Sequence, residues 1–403
     1  MKQTVARGTL TLPVSLIGGP AAHSVARKIW EAANNAGPVG WLTPTIESLP
    51  ESDLAARFFH LTSAEPPAII AEITAIAESR RVDHLIVECD PSLPLMAYAS
   101  LLAAGDESFS PLNEIARLTK TVLAIRPSET LDLLLPGRTK SSSNGVCFIV
   151  EQLEFADHVW LDARRDDPDL GLATSLIRAL NPHASLRETS QDAAASWLNS
   201  EEPLFAFDAA LAAAEWRRLI EKESTPLSYP DGVTAFAYHA RRPFHPERFW
   251  NLLQSNLRNV FRAKGFFWLA PRMDQVGGLN LAGAEVQCVP AGQWWAARDQ
   301  ETRDREMPER TRGEWREPFG DRRQAIALMS VNVEPALLRD QLDACLLTRE
   351  EMAGGSDQWR ELPDPFPSWS PHSHQHHQHH DHAGCDHHHE HEHGPGSHDC
   401  CHH

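Results

Sequence analysis

Short apolar runs alternate with stretches of helical periodicity throughout the first half of the chain. The runs are rich in valine, isoleucine and leucine and lack strict alternation, which predicts strands buried on both faces. They cover residues 12–17, 39–42, 84–88, 121–125 and 158–161. Isoleucines recur at helical spacing over residues 68–78 and predict a helix with one apolar face. The repeated order of strand, helix and strand predicts an α/β fold, a doubly wound parallel sheet whose functional edge lies at the carboxyl ends of its strands.

A different pattern follows residues 225–232, which are rich in proline, serine and glycine and predict a linker. The elements predicted beyond it are strands at 233–238, 265–269, 285–290 and 325–333 and helices at 246–257 and 335–345. Their order predicts a small α+β domain with helices on one side of an antiparallel sheet. Within this domain, residues 296–317 are dense in arginine, aspartate and glutamate and predict a solvated insertion.

The two patterns divide the chain into four parts. Residues 1–200 are predicted to form the α/β domain, 201–232 a helix and linker, 233–350 the α+β domain, and 351–403 a linker and a histidine-rich segment. No core-forming pattern remains after residue 369, so this last part is predicted to be disordered without a ligand.

Charge and composition exclude several classes of function. The 403 residues carry a formal net charge of −18, which argues against nucleic acid as a partner because phosphate binding needs a basic face. No apolar run approaches the length of a membrane span, so no membrane partner is expected and the chain is predicted to be soluble. Residues 10–17 could be misread as a secretory signal, but a first buried strand running into a glycine-rich turn is preferred. Four cysteines lie singly in apolar segments, which is typical of a reducing compartment, and we therefore expect a cytoplasmic protein.

Five blocks of the second half occur in a recognisable order over about 115 residues. They are residues 238–249, 262–269, 290–295, 319–324 and 342–348. Together they resemble the carboxy-terminal domain of the CobW-type family of P-loop GTPases, which includes zinc metallochaperones and activators of metalloenzymes. Residues 150–157 and 177–182 also resemble segments of this family, and they set the register for the first half.

That register places the nucleotide-binding loop at residues 19–24, where the required residues are missing. A P-loop has the pattern G-x-x-x-x-G-K-[S/T], in which backbone amides wrap the phosphates and the lysine neutralises their charge. Here the second glycine and the lysine are absent, and Pro20 removes a backbone donor. Gly19 remains, and Ser24 matches the magnesium-binding hydroxyl, although a helix N-cap serine is the preferred interpretation.

Two further family motifs are altered in the same way. Arg165 stands where the guanine-reading aspartate of an N-K-x-D motif belongs, and arginine has no acceptor for the base. Residues 63–67 replace the metal-binding Cys-x-Cys-Cys segment and contain no cysteine. Glu88 matches the glutamate of the hydrolysis site, but Pro91 stands where a glycine is expected. The resemblance therefore implies a degenerate GTPase-like domain with a vestigial nucleotide site at Gly19, Ser24 and Glu88, no catalytic residue, and no use of GTP or magnesium.

The histidine-rich segment carries the chemistry that remains. Of the 22 histidines, 15 lie between residues 372 and 403, interspersed with cysteine, aspartate and glutamate. Imidazole binds zinc, nickel and copper, and thiolate adds a preference for zinc or cuprous copper. The spacing predicts several exchangeable sites for zinc, with nickel or cobalt as alternatives, rather than one tetrahedral site. The candidate ligands are His374, His376, His377, His379, His380, His382, Cys385, His387, His388, His389, His391, His393, His398, Cys400, Cys401, His402 and His403.

Elsewhere the chemistry-bearing residues favour structural roles. Trp294 and Trp295 are predicted to be core, and His239 and His245 to be structural. The arginine pairs at 241–242 and 322–323 are predicted to form a salt-bridged surface. Cys89, beside Glu88 at a strand end, is the one position before residue 369 where a metal ligand stays open.

Three functions remain as hypotheses from the sequence. The preferred one is a cytoplasmic zinc chaperone or buffer of the CobW type that has lost GTP hydrolysis and delivers metal to a client metalloprotein. The second is a GTP-dependent metal-insertion chaperone with a diverged P-loop. The third is a non-enzymatic subunit that regulates an intact paralogous GTPase.

Overall fold

The computed structural model describes residues 11–33, 37–46, 55–103, 112–138, 145–164, 166–189, 197, 205–222, 225–255, 257 and 259–369. The described residues up to Pro367 belong to one compact unit. No helix among the described residues is long and apolar enough to cross a membrane.

The first half of the chain forms a seven-stranded parallel sheet with the strand order β3-β2-β4-β1-β5-β6-β7. The strands are β1 Leu12–Gly18, β2 Val39–Thr43, β3 Phe58–His60, β4 His84–Glu88, β5 Ala116–Ile125, β6 His158–Leu161 and β7 Ser185–Glu188. All five predicted strands are present and the predicted fold class is confirmed. Strands β3 and β7 were not predicted, because both are short edge strands without a buried apolar run.

Helices connect the parallel strands. They are α1 Ala22–Ala33, α2 Pro66–Ser79, α3 Leu95–Ala103, α4 Pro127–Leu134, α5 Val146–Phe155 and α6 Leu170–Leu180, with the shorter α7 Phe207–Ala212 and α8 Glu215–Glu221 after β7. Helix α2 shows why the pattern predicted these elements. It begins with proline at its first positions, ends at Arg80 in the left-handed conformation, and buries Ile69, Ile70, Ile73 and Ile76 on one face.

The second half forms a six-stranded antiparallel sheet with the strand order β12-β11-β10-β13-β9-β8. The strands are β8 Leu227–Ser228, β9 Val233–Ala240, β10 Val260–Phe267, β11 Gln275–Ala282, β12 Glu285–Gln293 and β13 Gln324–Val331. Strand β11 was not predicted because it contains Gly277 and Gly278, which weaken a strand signal. A Cβ atom at Gly277 would lie 2.5 Å from the Phe267 ring, so the close approach of β10 and β11 requires glycine there.

The helices of this half are α9 Pro246–Gln254, α10 Gln300–Glu306, α11 Glu309–Glu314, α12 Pro335–Asp343, α13 Arg349–Ala353 and α14 Gly355–Arg360. Helices α10 and α11 form most of the charged insertion and bury none of their residues. Their exposure agrees with a solvated insertion. Helices α9 and α12 supply apolar side chains to the domain through Phe249, Leu253, Leu338 and Leu342.

The two halves of the chain share one continuous core. A buried ion pair within it links strand β10 of the second half to helix α5 of the first. Arg262 on β10 is fully buried, and its Nε and Nη2 atoms donate to both carboxylate oxygens of Glu154 on α5, at 2.7 and 3.0 Å. The remaining Nη1 donates to Asn280 Oδ1 at 2.6 Å and to the Leu281 carbonyl at 3.1 Å. Beside this pair, Lys264 Nζ lies 2.7 Å from Glu151 Oε1. Every polar group of the guanidinium is thus satisfied, as a buried charge requires.

Removing one member of this pair tests its role. We expect Arg262→Met to lower the free energy of unfolding by about 3–5 kcal/mol, because the buried Glu154 carboxylate would lose both bonds from the guanidinium and keep only Lys264 Nζ, 3.9 Å from its Oε2 atom. The double variant Glu154→Leu/Arg262→Met should recover most of that loss. Urea denaturation measures both. The matched control is Asp357→Ala, which breaks an exposed pair with Arg360 and should cost about 0–1 kcal/mol. Equal losses in Arg262→Met and the control would contradict the assigned role.

Candidate functional site

The loop that matches the P-loop is short and lies directly on the neighbouring strand. Only three residues, from Gly19 to Ala21, separate β1 from α1. Gly19 has a φ of +99°, and a Cβ atom there would lie 2.5 Å from the Ala124 carbonyl oxygen on β5. The Ala21 amide donates to that same carbonyl at 3.0 Å, and the Ala22 amide donates to the Gly19 carbonyl at 3.0 Å. These amides are bonded to backbone, whereas a phosphate cradle presents its amides to the ligand.

Ser24 lies inside α1 as its third residue, so its prediction as the helix N-cap is wrong. Its hydroxyl donates to Asp162 Oδ2 at 3.0 Å, across the edge of the sheet after β6. The prediction placed the helix start too late because the loop is shorter than a P-loop, which brings the first helical turn forward. Ser24 is therefore engaged by a carboxylate in this structure.

Asp162 also lies close to two basic side chains at this edge. Lys28 Nζ on α1 lies 2.6 Å from its Oδ1 atom, and Arg126 Nε lies 3.9 Å from Oδ2. Arg126 also forms an ion pair with Glu129 at 2.5 Å. Lys28 and Arg126 are thus each paired with a protein carboxylate.

Glu88 occupies the end of β4 and is held by a second set of contacts. Its carboxylate accepts a hydrogen bond from Thr43 Oγ1 at 2.6 Å and lies 3.0 Å from His23 Nδ1. Thr45 Oγ1 is a more distant donor, at 3.4 Å. The His23 ring packs against Trp41 with ring centroids 5.2 Å apart. The edge thus brings Gly19, Ser24 and Glu88 to one side of the sheet, but Ser24 and Glu88 bind different protein partners.

Sequence reasoning missed the residues that hold these groups, namely His23, Thr43 and Asp162. Thr43 ends β2, Asp162 directly follows β6, and His23 lies in the first turn of α1, so all three are at the carboxyl edge, where functional side chains of an open α/β sheet lie. The position of these residues near the ends of predicted strands was the signal that the sequence offered. Chain order alone could not show which of these residues contact each other.

The described part of the chain does not provide a metal centre. It contains no group of three or more His, Cys, Asp or Glu residues that could hold a metal ion. Cys89 is buried. Its burial is the main cause that raises the pKa of its thiol well above the ordinary value, and the nearby Glu88 charge raises it further. Such a thiol is protonated near neutral pH. All 17 candidate metal ligands, from His374 to His403, lie outside the described residues, as does Arg165.

The tryptophans, histidines and arginine pairs that were predicted to have structural roles lie in the following environments. Trp294 is buried with Trp268 and Trp359, as predicted. The prediction that Trp295 is core is wrong, because this residue is half-buried and lies under the Arg298 guanidinium, 4.2 Å from the ring centroid. His245 precedes α9 and is half-buried. The two arginine pairs mostly donate to backbone carbonyls, and within them Arg323 forms an ion pair with Glu314. His239 lies exposed at the end of β9.

Residues 233–346 match the family model of the cobalamin synthesis protein cobW C-terminal domain. The chain carries a CobW C-terminal domain. This confirms the resemblance read from the five sequence blocks. The matched range begins at the first residue of β9 and ends three residues after α12, so it contains five strands of the antiparallel sheet.

Curated relatives extend the similarity into the first half. Zinc-regulated GTPase metalloprotein activator 1 of Dictyostelium discoideum is 27% identical over 315 residues, which cover 74% of this CobW-domain chain and 66% of the relative. Zinc chaperone Rv0106 of Mycobacterium tuberculosis is 35% identical over 147 residues, covering 36% of this chain and 37% of the relative. The matches thus span less than two thirds of these relatives.

A solved structure of low similarity is the Zn(II)-bound YjiA GTPase of E. coli. The match covers 84% of this chain and 99% of that one, with 11% sequence identity and a TM-score of 0.36. A likeness at this level settles nothing about activity.

The left-handed conformation of Gly19 can be tested directly. We expect Gly19→Ala to lower the free energy of unfolding by about 1–3 kcal/mol, because its Cβ would meet the Ala124 carbonyl and its φ is unfavourable for alanine. The control Gly313→Ala lies in α11 with open space around it and should be neutral or stabilising by up to about 1 kcal/mol. Thermal or urea unfolding compares the two. A loss no greater than in the control would show that the loop does not rest on β5 in solution.

Proposed function

We propose that this chain is a metal-handling protein of the CobW type, a zinc chaperone or buffer that binds zinc through its histidine-rich segment and does not hydrolyse GTP. The observation that carries the proposal is the pairing of a CobW C-terminal domain with 17 histidine and cysteine ligands in residues 374–403. Two of the relatives are named for zinc, one as a zinc chaperone and one as a zinc-regulated metalloprotein activator. By the same analogy, the expected partners are the metal ion and a client metalloprotein.

The geometry of the parallel sheet supports the loss of GTP binding. The chain has no lysine between Gly19 and Ser24, and the Ala21 and Ala22 amides bond to backbone carbonyls. Two carboxylates, Glu88 and Asp162, lie at the edge where a triphosphate would add several negative charges. The cations Lys28 and Arg126 are already paired with protein carboxylates. Such an edge would have to break these contacts before it could neutralise phosphate charge.

Zinc rather than nickel or cobalt is our choice for the cargo. The segment contains Cys385, Cys400 and Cys401 among its imidazoles, and thiolates favour zinc within this group of metals. Five acidic residues in the same stretch increase the local attraction for cations: Asp381, Asp386, Glu390, Glu392 and Asp399. We place the protein in the cytoplasm, where free thiols persist.

A nucleotide titration tests the first part of the proposal. We expect isothermal titration of the purified chain with magnesium and GTP to show no saturable binding, and phosphate release to equal the protein-free blank. Ser24→Ala is the matched variant, because Ser24 alone matches the magnesium-binding hydroxyl. Submicromolar GTP affinity that disappears in Ser24→Ala would contradict the proposal and favour a GTP-dependent insertase with a diverged loop.

The pH dependence of zinc binding tests the second part. Binding requires neutral imidazole, so zinc should be retained at pH 7.5 and released as the pH falls through about 6.5 towards 5. Equilibrium dialysis with zinc analysis measures the occupancy at each pH. A chain ending at residue 369 is the control and should bind little zinc at either pH. Equal occupancy of the full chain at pH 5 and 7.5 would rule out histidine as the main ligand.

Co-purification separates the proposal from the regulatory alternative. A regulatory subunit should retain an intact paralogous GTPase from cells after residues 370–403 are deleted, although its metal is lost. A buffer or chaperone should lose its metal and show no such enrichment.

A further inference from the structure

An extended segment beyond the CobW C-terminal domain occupies a groove on that domain. Residues 362–367, which we call the strap, contain no helix or strand and follow the matched range by 16 residues. The groove is formed by Phe249 and Trp250 on α9, Phe267 on β10, and Arg272 in the turn between β10 and β11. The strap therefore shows what kind of chain this groove accepts.

Two side chains of the strap enter the groove. The Phe366 ring is buried and lies 5.0 Å from the Trp250 ring and 5.7 Å from the Phe267 ring, measured between centroids. Two positions earlier, Asp364 Oδ2 accepts a hydrogen bond from Arg272 Nε at 2.7 Å. The prolines at 363, 365 and 367 are exposed. Contact is thus limited to alternate positions, as expected for an extended peptide laid on a surface.

Arg272 donates hydrogen bonds to the backbone of the strap as well as to its carboxylate. Its Nη2 atom donates to the Phe366 carbonyl at 2.9 Å, and its Nη1 atom donates to the Pro367 carbonyl at 2.9 Å. The Arg272 side chain is only 12% exposed, so these charge-assisted bonds form largely away from water. One guanidinium therefore specifies an acidic side chain and two consecutive carbonyls, next to a pocket that specifies an aromatic ring.

We infer that the Arg272 groove is a peptide-binding site for a partner protein's extended segment with aspartate two residues before phenylalanine, and that the strap occupies it in cis. The strap is held by Phe366, by Leu362 and by the three Arg272 bonds, and its covalent attachment gives it a high effective concentration. A partner segment of the same chemistry displaces it and so docks the partner on the CobW C-terminal domain. The site uses neither metal nor nucleotide, so it stands or falls separately from the zinc proposal.

The test uses a fluorescein-labelled peptide with the sequence of residues 361–369 and the full chain, with binding followed by fluorescence anisotropy. The variant Asp364→Ala/Phe366→Ala, called the emptied variant, removes both strap side chains from the groove and leaves the strap only its two carbonyl bonds to Arg272, so we expect it to bind the peptide saturably. Adding Arg272→Met to that variant should weaken binding by at least about tenfold, since three charge-assisted bonds are lost. The wild-type chain should also bind at least about tenfold more weakly, because its own strap competes. A peptide with alanine in place of phenylalanine is the ligand control.

Circular dichroism melting shows whether the double variant folds. If it does not, Asp364→Asn, which keeps Phe366, replaces it and should still bind the peptide more tightly than wild type. Equal binding by wild type, the emptied variant and its Arg272→Met derivative would overturn the inference. Absence of binding to a folded emptied variant would overturn it as well.

Discussion

The hydrogen bond from the Ala21 amide to the Ala124 carbonyl sets the character of the parallel sheet's functional edge. It fixes a three-residue loop against β5, and the left-handed Gly19 makes that contact sterically feasible. Because the loop is so short, α1 begins at Ala22 and carries His23 and Ser24 over the strand ends. These two residues then meet Glu88 and Asp162, which a longer loop around a ligand would leave free for other partners.

The acidic edge of the parallel sheet and the candidate metal ligands lie in different parts of the chain. At the described edge, carboxylates are satisfied by hydroxyl, imidazole and cationic side chains, and the loop from Gly19 to Ser24 contains no lysine that would attract phosphate. The candidate metal ligands are concentrated beyond residue 370. In the proposed function the histidine-rich segment carries the cargo, and in the inference above the CobW C-terminal domain docks a partner through the Arg272 groove.

Much of the fold could be predicted from the sequence, because buried parallel strands and the isoleucine face of α2 leave clear apolar patterns. Short or glycine-containing strands such as β3 and β11 leave none. The candidate site was predicted less completely. Gly19 and Glu88 follow from motif register, which also indicates a loop about two residues shorter than a P-loop, but the register did not show that α1 begins at Ala22 and includes Ser24. The Glu154–Arg262 pair joins residues 108 positions apart, and no local pattern marks such a contact.

That ion pair links the CobW C-terminal domain to the α/β half of this protein. The family match begins at residue 233, yet the carboxylate that balances Arg262 comes from α5, and Glu285 accepts a hydrogen bond from the Cys147 amide at the start of the same helix. A gene fragment encoding the matched range alone would lack α5, and it would expose to water both Arg262 and the apolar side chains that the two halves share. The α/β half therefore has a structural role of its own, because it covers the face of the antiparallel sheet that carries Arg262.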